Sequence, residues 1–537
     1  MKKSYLLILF IAFSFISQAQ VVFQDIHSSV YEFLDEMANL GYIELNTAVK
    51  PYSRKLIAKK LDAVQKNYRN DLTKRQKQEL DFYLRDFGKE LHKDKNFKRR
   101  KDLFYYRDDT FAITVNPILG FEIRQNTNGM YWHRWNGAHL WGYAGKHFGF
   151  NASLRDNGVN NAFPLENQLM NEPGANFKIN QGQTGGRSDY SEMKGGVSYG
   201  WDWGSVSLNK DNFTWGNNYN GANIFSGRQP SYVYLQFKMN PKPWFDFNYV
   251  HGFLVSEVID SSRTYYHNNG RREIFHPKYM AANLYTFTPW KKFKTSFGNS
   301  VIYSDVLNYA YMIPFFFFKS VDHTYNGAGS SRVGQNSQMF FDISSRNIKK
   351  THLYATLFLD ELSISNMWKP DKHTNLYSLK TGMRLSNVLF NNTSLTIEYT
   401  RTNPWTFTHD VSTTTFTSNN YNLGHYLLDN SEEIFIQGQW KPIKRLHLSL
   451  SYTQALKGPK MVWKLVHGNT NVPGSVWMEE VTWYNKTIMA SASYEIINDG
   501  MIYFKAQYSD IQGIKEYTPE LYQGKTLTFW AGMYFGL

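Results

Sequence analysis

The last residues of the chain alternate without a break. Leu527, Phe529, Ala531, Met533, Phe535 and Leu537 hold one parity, and Thr528, Trp530, Gly532, Tyr534 and Gly536 hold the other. The same period of two returns at Leu395, Ile397 and Tyr399, at Leu446, Leu448, Leu450 and Tyr452, and at Ile502, Phe504, Ala506 and Tyr508. It also flanks the stretch Gly195 to Met239, where Val197, Tyr199 and Trp201 share one face and Val233, Leu235, Phe237 and Met239 share another. Residues two apart lie on one side of a strand. A soluble sandwich would cover the apolar side with a second sheet; a membrane barrel would turn it to lipid and close on itself. Lipid is favoured on three grounds. The strands approach the roughly 9–11 residues that a tilted spanning strand needs. The chain ends inside an aromatic-rich strand. The connections are unequal: tight turns near Trp203-Gly204, Asn391-Asn392 and Lys441-Pro442 contrast with long polar segments. Residues 103–537, at roughly 24 per strand and connection, predict a mostly β fold: a transmembrane antiparallel β-barrel of about 18 strands.

Composition supports this reading. Aromatic residues make up 17% of the chain, yet the mean hydropathy is −0.50. Interfacial girdles use many rings, and a wall with one wet face keeps the average polar. Lys2 and Lys3, the apolar run Leu6 to Ile16, and Ser17-Gln18-Ala19 predict a signal peptide over residues 1–19, cleaved before Gln20. The chain holds no Cys, which excludes a lipoprotein anchor and disulfides. The expected location is the outer membrane. The formal charge is +14. Export argues against nucleic acid, so the basic excess points to outer-membrane lipid or an acidic polysaccharide.

Residues 20–102 read differently. Ser29-x-x-Glu32 and Thr73-x-x-Gln76 are capping-box patterns, and Pro51 and Ser53 open a further helix. Val30, Phe33, Leu34, Met37 and Leu40 make one stripe, Leu56, Ile57, Leu61 and Val64 a second, and Leu80, Tyr83, Leu84, Phe87 and Leu91 a third. Three short helices cannot bury a sufficient core alone. They are expected to dock on the barrel and cap its periplasmic mouth, followed by a basic linker through Lys98 to Lys101.

Little in the chain suggests catalysis. No nucleophile elbow, zinc-helix motif or phosphate loop occurs. His133 and His139 flank Trp135 and Trp141 without metal-ligand spacing, and Asp360-Glu361 and Glu432-Glu433 point to opposite strand faces. A non-enzyme without cofactor or metal is expected, acting as a monomer. Arg155 to Tyr190, Ser261 to Lys278 and Trp405 to Tyr426 read as solvated loop tips, and Tyr311 to Phe318 as a strand end at the membrane interface. Trp215 to Pro230 is the candidate binding loop. Its Trp215, Asn217, Asn218, Tyr219 and Arg228 suit an acidic glycan, by ring stacking and charge-assisted hydrogen bonds. The same residues would also suit a loop that fills the barrel.

The helical segment SSVYEFLDEMANLGYIELNTAVKPYSRKLIAKKL, then KRQKQELDFYLRDF, FTWGNNYNGANIF, VIYSDVLNYAYMIPFFFF and LYATLFLDEL together resemble the capsule assembly protein Wzi family of outer-membrane barrels. The resemblance spans nearly the whole mature chain. It implies a barrel of about 18 strands with a helical bundle on the periplasmic side. It also implies a lectin-like role in holding capsular polysaccharide at the cell surface, and it brings no catalytic residues. The alternative readings are a porin-like channel and a component of an export machine with capsule-export or outer-membrane partner proteins.

Overall fold

The computed structural model describes residues 20–91, 98–160, 165–176, 188–268, 270–326, 335–362, 375–387, 390–460 and 476–536. Residues 1–19, with the predicted signal, lie outside them. The period-two segments become a closed antiparallel barrel of 18 strands. In chain order these are β1 (Phe111–Asn126), β2 (Gly129–Ala144), β3 (Phe148–Val159), β4 (Ser188–Trp201), β5 (Gly204–Asp211), β6 (Tyr232–Lys242), β7 (Phe245–Leu254), β8 (Lys278–Trp290) and β9 (Phe293–Ser304). They continue as β10 (Asn336–Ser345), β11 (Thr351–Glu361), β12 (Leu376–Ser386), β13 (Thr393–Thr402), β14 (Ser431–Trp440), β15 (Leu446–Lys457), β16 (Trp483–Ile497), β17 (Gly500–Gly513) and β18 (Gly524–Phe535). Closure comes from β18 on β1, from Phe529 opposite Gln125 to Phe535 opposite Leu119. Phe104–Arg107 pairs with the part of β1 that β18 leaves, from Val115 to Ala112.

At one end the connections are short: 145–147, 202–203, 243–244, 291–292, 346–350, 387–392, 441–445 and 498–499. The long ones, among them 212–231, 255–277, 305–335 and 403–430, leave the other end. The outside is apolar. Val197, Leu208, Leu450, Phe504 and Phe529 are exposed on it, while their neighbours Ser198 and Thr528 are buried inward. Leaving such a continuous band in water would cost about 25 cal/mol per Å². Hydrocarbon removes that cost, and closure leaves no unpaired strand edge. Val233, Leu235, Phe237 and Met239 take the outward side of β6, as their parity predicts; Tyr234 and Gln236 point inward.

The three predicted helices form as α1 (Val30–Asn39), α2 (Arg54–Asn67) and α3 (Lys74–Phe87). Their core joins Phe33, Leu34, Met37, Ile57, Leu61, Val64, Leu80 and Phe87; Leu56, expected in the second stripe, is exposed instead. Thr73 caps α3 as its pattern predicts. Its hydroxyl accepts from Gln76 N at 3.3 Å, and its own N–H donates to Gln76 Oε1 at 2.9 Å. We expect Thr73→Ala to lower stability by about 1 kcal/mol, read as an earlier urea midpoint for release of the helical segment; an unchanged midpoint would count against the cap. Ser29 does not cap α1. Its hydroxyl donates to Glu495 Oε1 at 2.9 Å, and Glu32 lies 3.1 Å from His447 Nδ1. Both residues of that pattern are used on the barrel wall.

The helices dock at the short-connection end. Asn39 Nδ2 donates to Ser386 Oγ at 3.1 Å, Arg445 N to Glu79 Oε1 at 3.0 Å, and Asn498 Nδ2 to Phe82 O at 3.2 Å. Arg54 is 2% exposed, paired with Asp86 at 3.0 Å and Glu90 at 2.8 Å. Its guanidinium lies 4.4 Å from the Trp141 ring centre on the inner face of β2. An arginine placed so ties helices and barrel through charge and ring at once.

Two of the long connections depart from expectation. Residues 403–430 do not form a solvated tip: Phe407, Phe416 and Leu423 are buried inside the barrel with Phe213, Trp215, Ile224 and Phe225 of 212–231. They pack on the inward Tyr234, Val250, Met280, Leu284, Phe340 and Phe358. The wall from β6 to β11 thus carries a large apolar patch on its inner face as well, and that patch needs a cover. Part of Arg155 to Tyr190 also turns inward, with Leu169 buried, whereas the hairpin within Ser261 to Lys278 stays exposed. Tyr311 to Phe318 is not a strand end; it runs from the end of a 3-10 turn, Tyr309–Met312, to the first residue of helix α4 (Phe318–Asn326).

Candidate functional site

The loop 212–231 crosses the barrel interior and meets the helical segment there. Val49 pairs with Trp215 and Lys50 with Thr214, and Gly216 N donates to Ala48 O at 2.8 Å. None of the predicted binding residues in this loop reaches the outer surface. Trp215 is fully buried, with Phe225 edge-on at 5.3 Å. Asn217 donates from its backbone N and its Nδ2 to Asp342, at 2.9 and 2.6 Å. Asn218 Nδ2 donates to Gly216 O at 2.8 Å. Tyr219 N donates to Glu398 Oε1 at 2.7 Å and its hydroxyl to Asp35 Oδ2 at 2.8 Å. Burial, with Asp35 adjoining, pushes that phenol well above its ordinary value. Arg228 donates to the carbonyls of Glu172 at 3.1 Å and Gln168 at 2.8 Å, and burial brings its pKa down to about 10. Trp215, Asn217 and Arg228 hold a plug in place, the lumen-filling alternative for this loop. Asn217, Asn218 and Tyr219 border a cavity of about 590 Å³, shared with Glu32, Lys50, His352 and Arg384.

The plug sits to one side. Its polar bonds run to β10 at Asp342, to β11 and β12 through Asn223 Nδ2 on Thr356 O and Ser378 O, and to β13 at Glu398. Opposite, against β1 to β4 and β16 to β18, a chamber of about 520 Å³ remains. Its inner wall follows from parity. On β2 the period of two turns Tyr131, His133, Trp135, His139, Trp141 and Tyr143 inward as one column of rings. His133 lies 4.6 Å from Trp135, and His139 stacks on Trp141 at 4.8 Å. The Trp135 ring covers Gly120, where a Cβ would fall 2.1 Å from ring carbon, so that position needs glycine. Tyr190 stacks on His133 at 6.4 Å from the facing side. The lower rings are taken up by the helices, as Trp141 is by Arg54; His133, Trp135 and Tyr190 line the chamber.

Charges ring these aromatics. Arg124 makes two bonds to Glu172, both 2.9 Å, and one to Glu122 at 2.6 Å. Arg155 holds Glu192 at 2.6 Å and Lys194 holds Asp25 at 3.4 Å. Burial raises the Asp25 carboxyl, but Lys194 and His27 outweigh it and hold the group well below the usual carboxylate range. Lys210 and Lys505 differ: among the described residues neither makes an ion pair. Lys210 donates to Ser231 Oγ at 3.1 Å, and Lys505 lies 4.4 Å from the Trp530 ring centre. Both line the chamber. Ring faces stack on the C–H faces of sugars, and free cations meet carboxylates. No group of three or more His, Cys, Asp and Glu side chains placed for a metal occurs among the described residues. Reading His133 and His139 for metal spacing passes over this site; their parity with Trp135 and Trp141 is the signal that finds it.

No family model and no curated protein matches the sequence. Among solved structures, Wzi of Escherichia coli, described as an outer membrane protein involved in group 1 capsule assembly and a carbohydrate-binding β-barrel, aligns with a TM-score of 0.57 at 11% identity. The alignment covers 97% of this chain and 100% of that one. OccAB2 of Acinetobacter baumannii aligns at TM-score 0.43 and 9% identity, over 80% of this chain and 98% of that one. OpdQ of Pseudomonas aeruginosa aligns at 0.41 and 7%, over 80% and 99%. The barrel thus has the Wzi fold, helical segment included.

Proposed function

We propose that this protein is an outer-membrane barrel that binds an acidic surface polysaccharide and helps to assemble or retain it at the cell surface. The observation that carries the reading is the chamber: rings of one parity beside two cations without ion pairs, in a volume of saccharide size. The Wzi fold supports it, since that barrel is described as carbohydrate-binding and as involved in capsule assembly. In this reading residues 1–19 direct export, and the short connections and the helical segment face the periplasm, as short turns do in such barrels. The protein works as a monomer, without cofactor and without catalysis.

The test is cell-bound polysaccharide in a strain lacking the protein. Polysaccharide should move from the cell fraction to the medium, and return to the cell fraction with the intact gene. Retention equal to the parent strain would contradict the reading. A porin-like channel is the second reading, favoured by the chamber running along the wall beside the plug. The plug's bonds to β10 through β13 weigh against it.

A further inference from the structure

The outer wall of the barrel carries a second buried cluster. On β7, β8 and β9 the outward parity includes Phe247, Tyr249, Ala281, Val301 and Tyr303, and these are covered from outside by Tyr311 and Phe318. Polar groups stand among them. His251, also outward, is fully buried, with Tyr249 Oη and Tyr303 Oη each 3.2 Å from its ring nitrogens. Asn283 and Asn299 face each other across β8 and β9, Asn299 Nδ2 donating to Asn283 Oδ1 at 2.7 Å. Bare lipid could not satisfy such groups, at several kcal/mol for each one unpaired.

A segment of chain covers them. After β9 the backbone turns back along the wall, and the wall satisfies its carbonyls one after another. Tyr249 Oη donates to Tyr311 O at 2.8 Å. Asn283 Nδ2 donates to Pro314 O and Phe316 O, both at 2.9 Å, and Tyr285 Oη to Phe315 O at 3.0 Å. In return Phe318 N donates to Asn299 Oδ1 at 2.9 Å. The Phe315 ring stacks on Phe247 at 4.7 Å. The far side of the segment is bare: Tyr309 is 75% exposed, and Ile313, Phe316 and Phe317 are also exposed.

Depth decides what meets that bare side. Strand β7 has 10 residues, close to the roughly 9–11 that just span the hydrocarbon. Tyr249 stands at its middle, so the segment it holds lies inside the band that the strand crosses. Irregular backbone at that depth is tolerated only where protein satisfies it, which the donors on β7 and β8 do. We propose that residues 306–317 are a re-entrant segment outside the barrel, docked on β7 to β9 and immersed in the acyl chains of the bilayer. The lipid occupant follows from the apolar far side and from the level of Tyr249. The proposal rests on the barrel standing in a bilayer, not on the saccharide reading.

The absence of cysteine makes the test clean. A nitroxide on Phe316→Cys, in protein reconstituted into phosphatidylcholine vesicles, reports collisions with oxygen and with a water-soluble nickel chelate. Phe504→Cys on the outward face of β17 and Tyr266→Cys in the exposed hairpin serve as the lipid and water references. The Phe316 label should match Phe504, open to oxygen and shielded from nickel. Nickel access equal to Tyr266, with Phe504 still shielded, would overturn the proposal without touching the barrel's place in the membrane. Adding Asn283→Leu should free the segment and sharpen the label's spectrum; an unchanged spectrum would overturn the docking on the wall.

Discussion

Replacing residues 216–224 with a short Gly-Ser link should turn a barrel of little conductance into a conducting one. The replacement removes Asn217 from Asp342, Tyr219 from Glu398 and Asp35, Asn220 from Glu398, and Asn223 from the carbonyls of β11 and β12. It also takes Ile224 out of the interior core. The wall keeps its shape, because its strands are held by their own ladders and not by the plug. Barrels of about 16–18 strands without a plug enclose an aqueous channel. In planar bilayers the intact protein should therefore show little conductance, and the replaced protein discrete open steps. Equal traces from both, with circular dichroism confirming folded barrel, would show that this loop does not close the lumen. The helical segment should loosen as well, since Ala48 loses the N–H of Gly216.

Trp135→Ala and Lys505→Met should separate two parts of saccharide recognition. The tryptophan offers a flat apolar face that any pyranose can use, so its loss weakens acidic and neutral oligosaccharides alike, by about 1 kcal/mol or some fivefold. Lys505 makes no ion pair among the described residues, so its ammonium can meet a sugar carboxylate in the chamber. Lys505→Met should cost an acidic ligand about 2 kcal/mol, roughly 30-fold, and leave a neutral one unchanged. Rising salt should weaken only the acidic ligand, because the contact is part-exposed and screened. Equilibrium titration of each variant with matched uronate and neutral oligosaccharides checks all of this. Equal losses for both sugars from Lys505→Met would contradict the charge assignment.

Much of the wall was legible because its information is local. The alternation at Leu527 to Phe535 or Leu446 to Tyr452 fixes parity within one strand, and the stripes at Phe33, Met37, Leu61 and Leu80 do the same for helices. What parity does not contain is the identity of the cover. Residues 403–430 are rich in Thr and Asn and read as solvated, yet Phe407, Phe416 and Leu423 go inside because Met280, Leu284, Phe340 and Phe358 face inward on distant strands. The trace of this in sequence is the lack of polar parity around Met280 to Leu284. Ser29 and Glu32 match a capping box, but their partners, Glu495 and His447, stand far along the chain. The site was half legible. The ring column on β2 is a period-two pattern from Tyr131 to Tyr143. That Lys505 would face it, and that Trp215 and Arg228 would be consumed by the plug, depends on which wall the plug leans against.

In the proposed function the chamber beside the plug holds a saccharide. Calorimetric titration of the detergent-purified protein with a uronate-bearing oligosaccharide tests it most directly. Saturable binding of one ligand per chain is expected, weakened when Trp135 becomes alanine. No binding of acidic or neutral oligosaccharide, or binding that Trp135→Ala leaves unchanged, would contradict it.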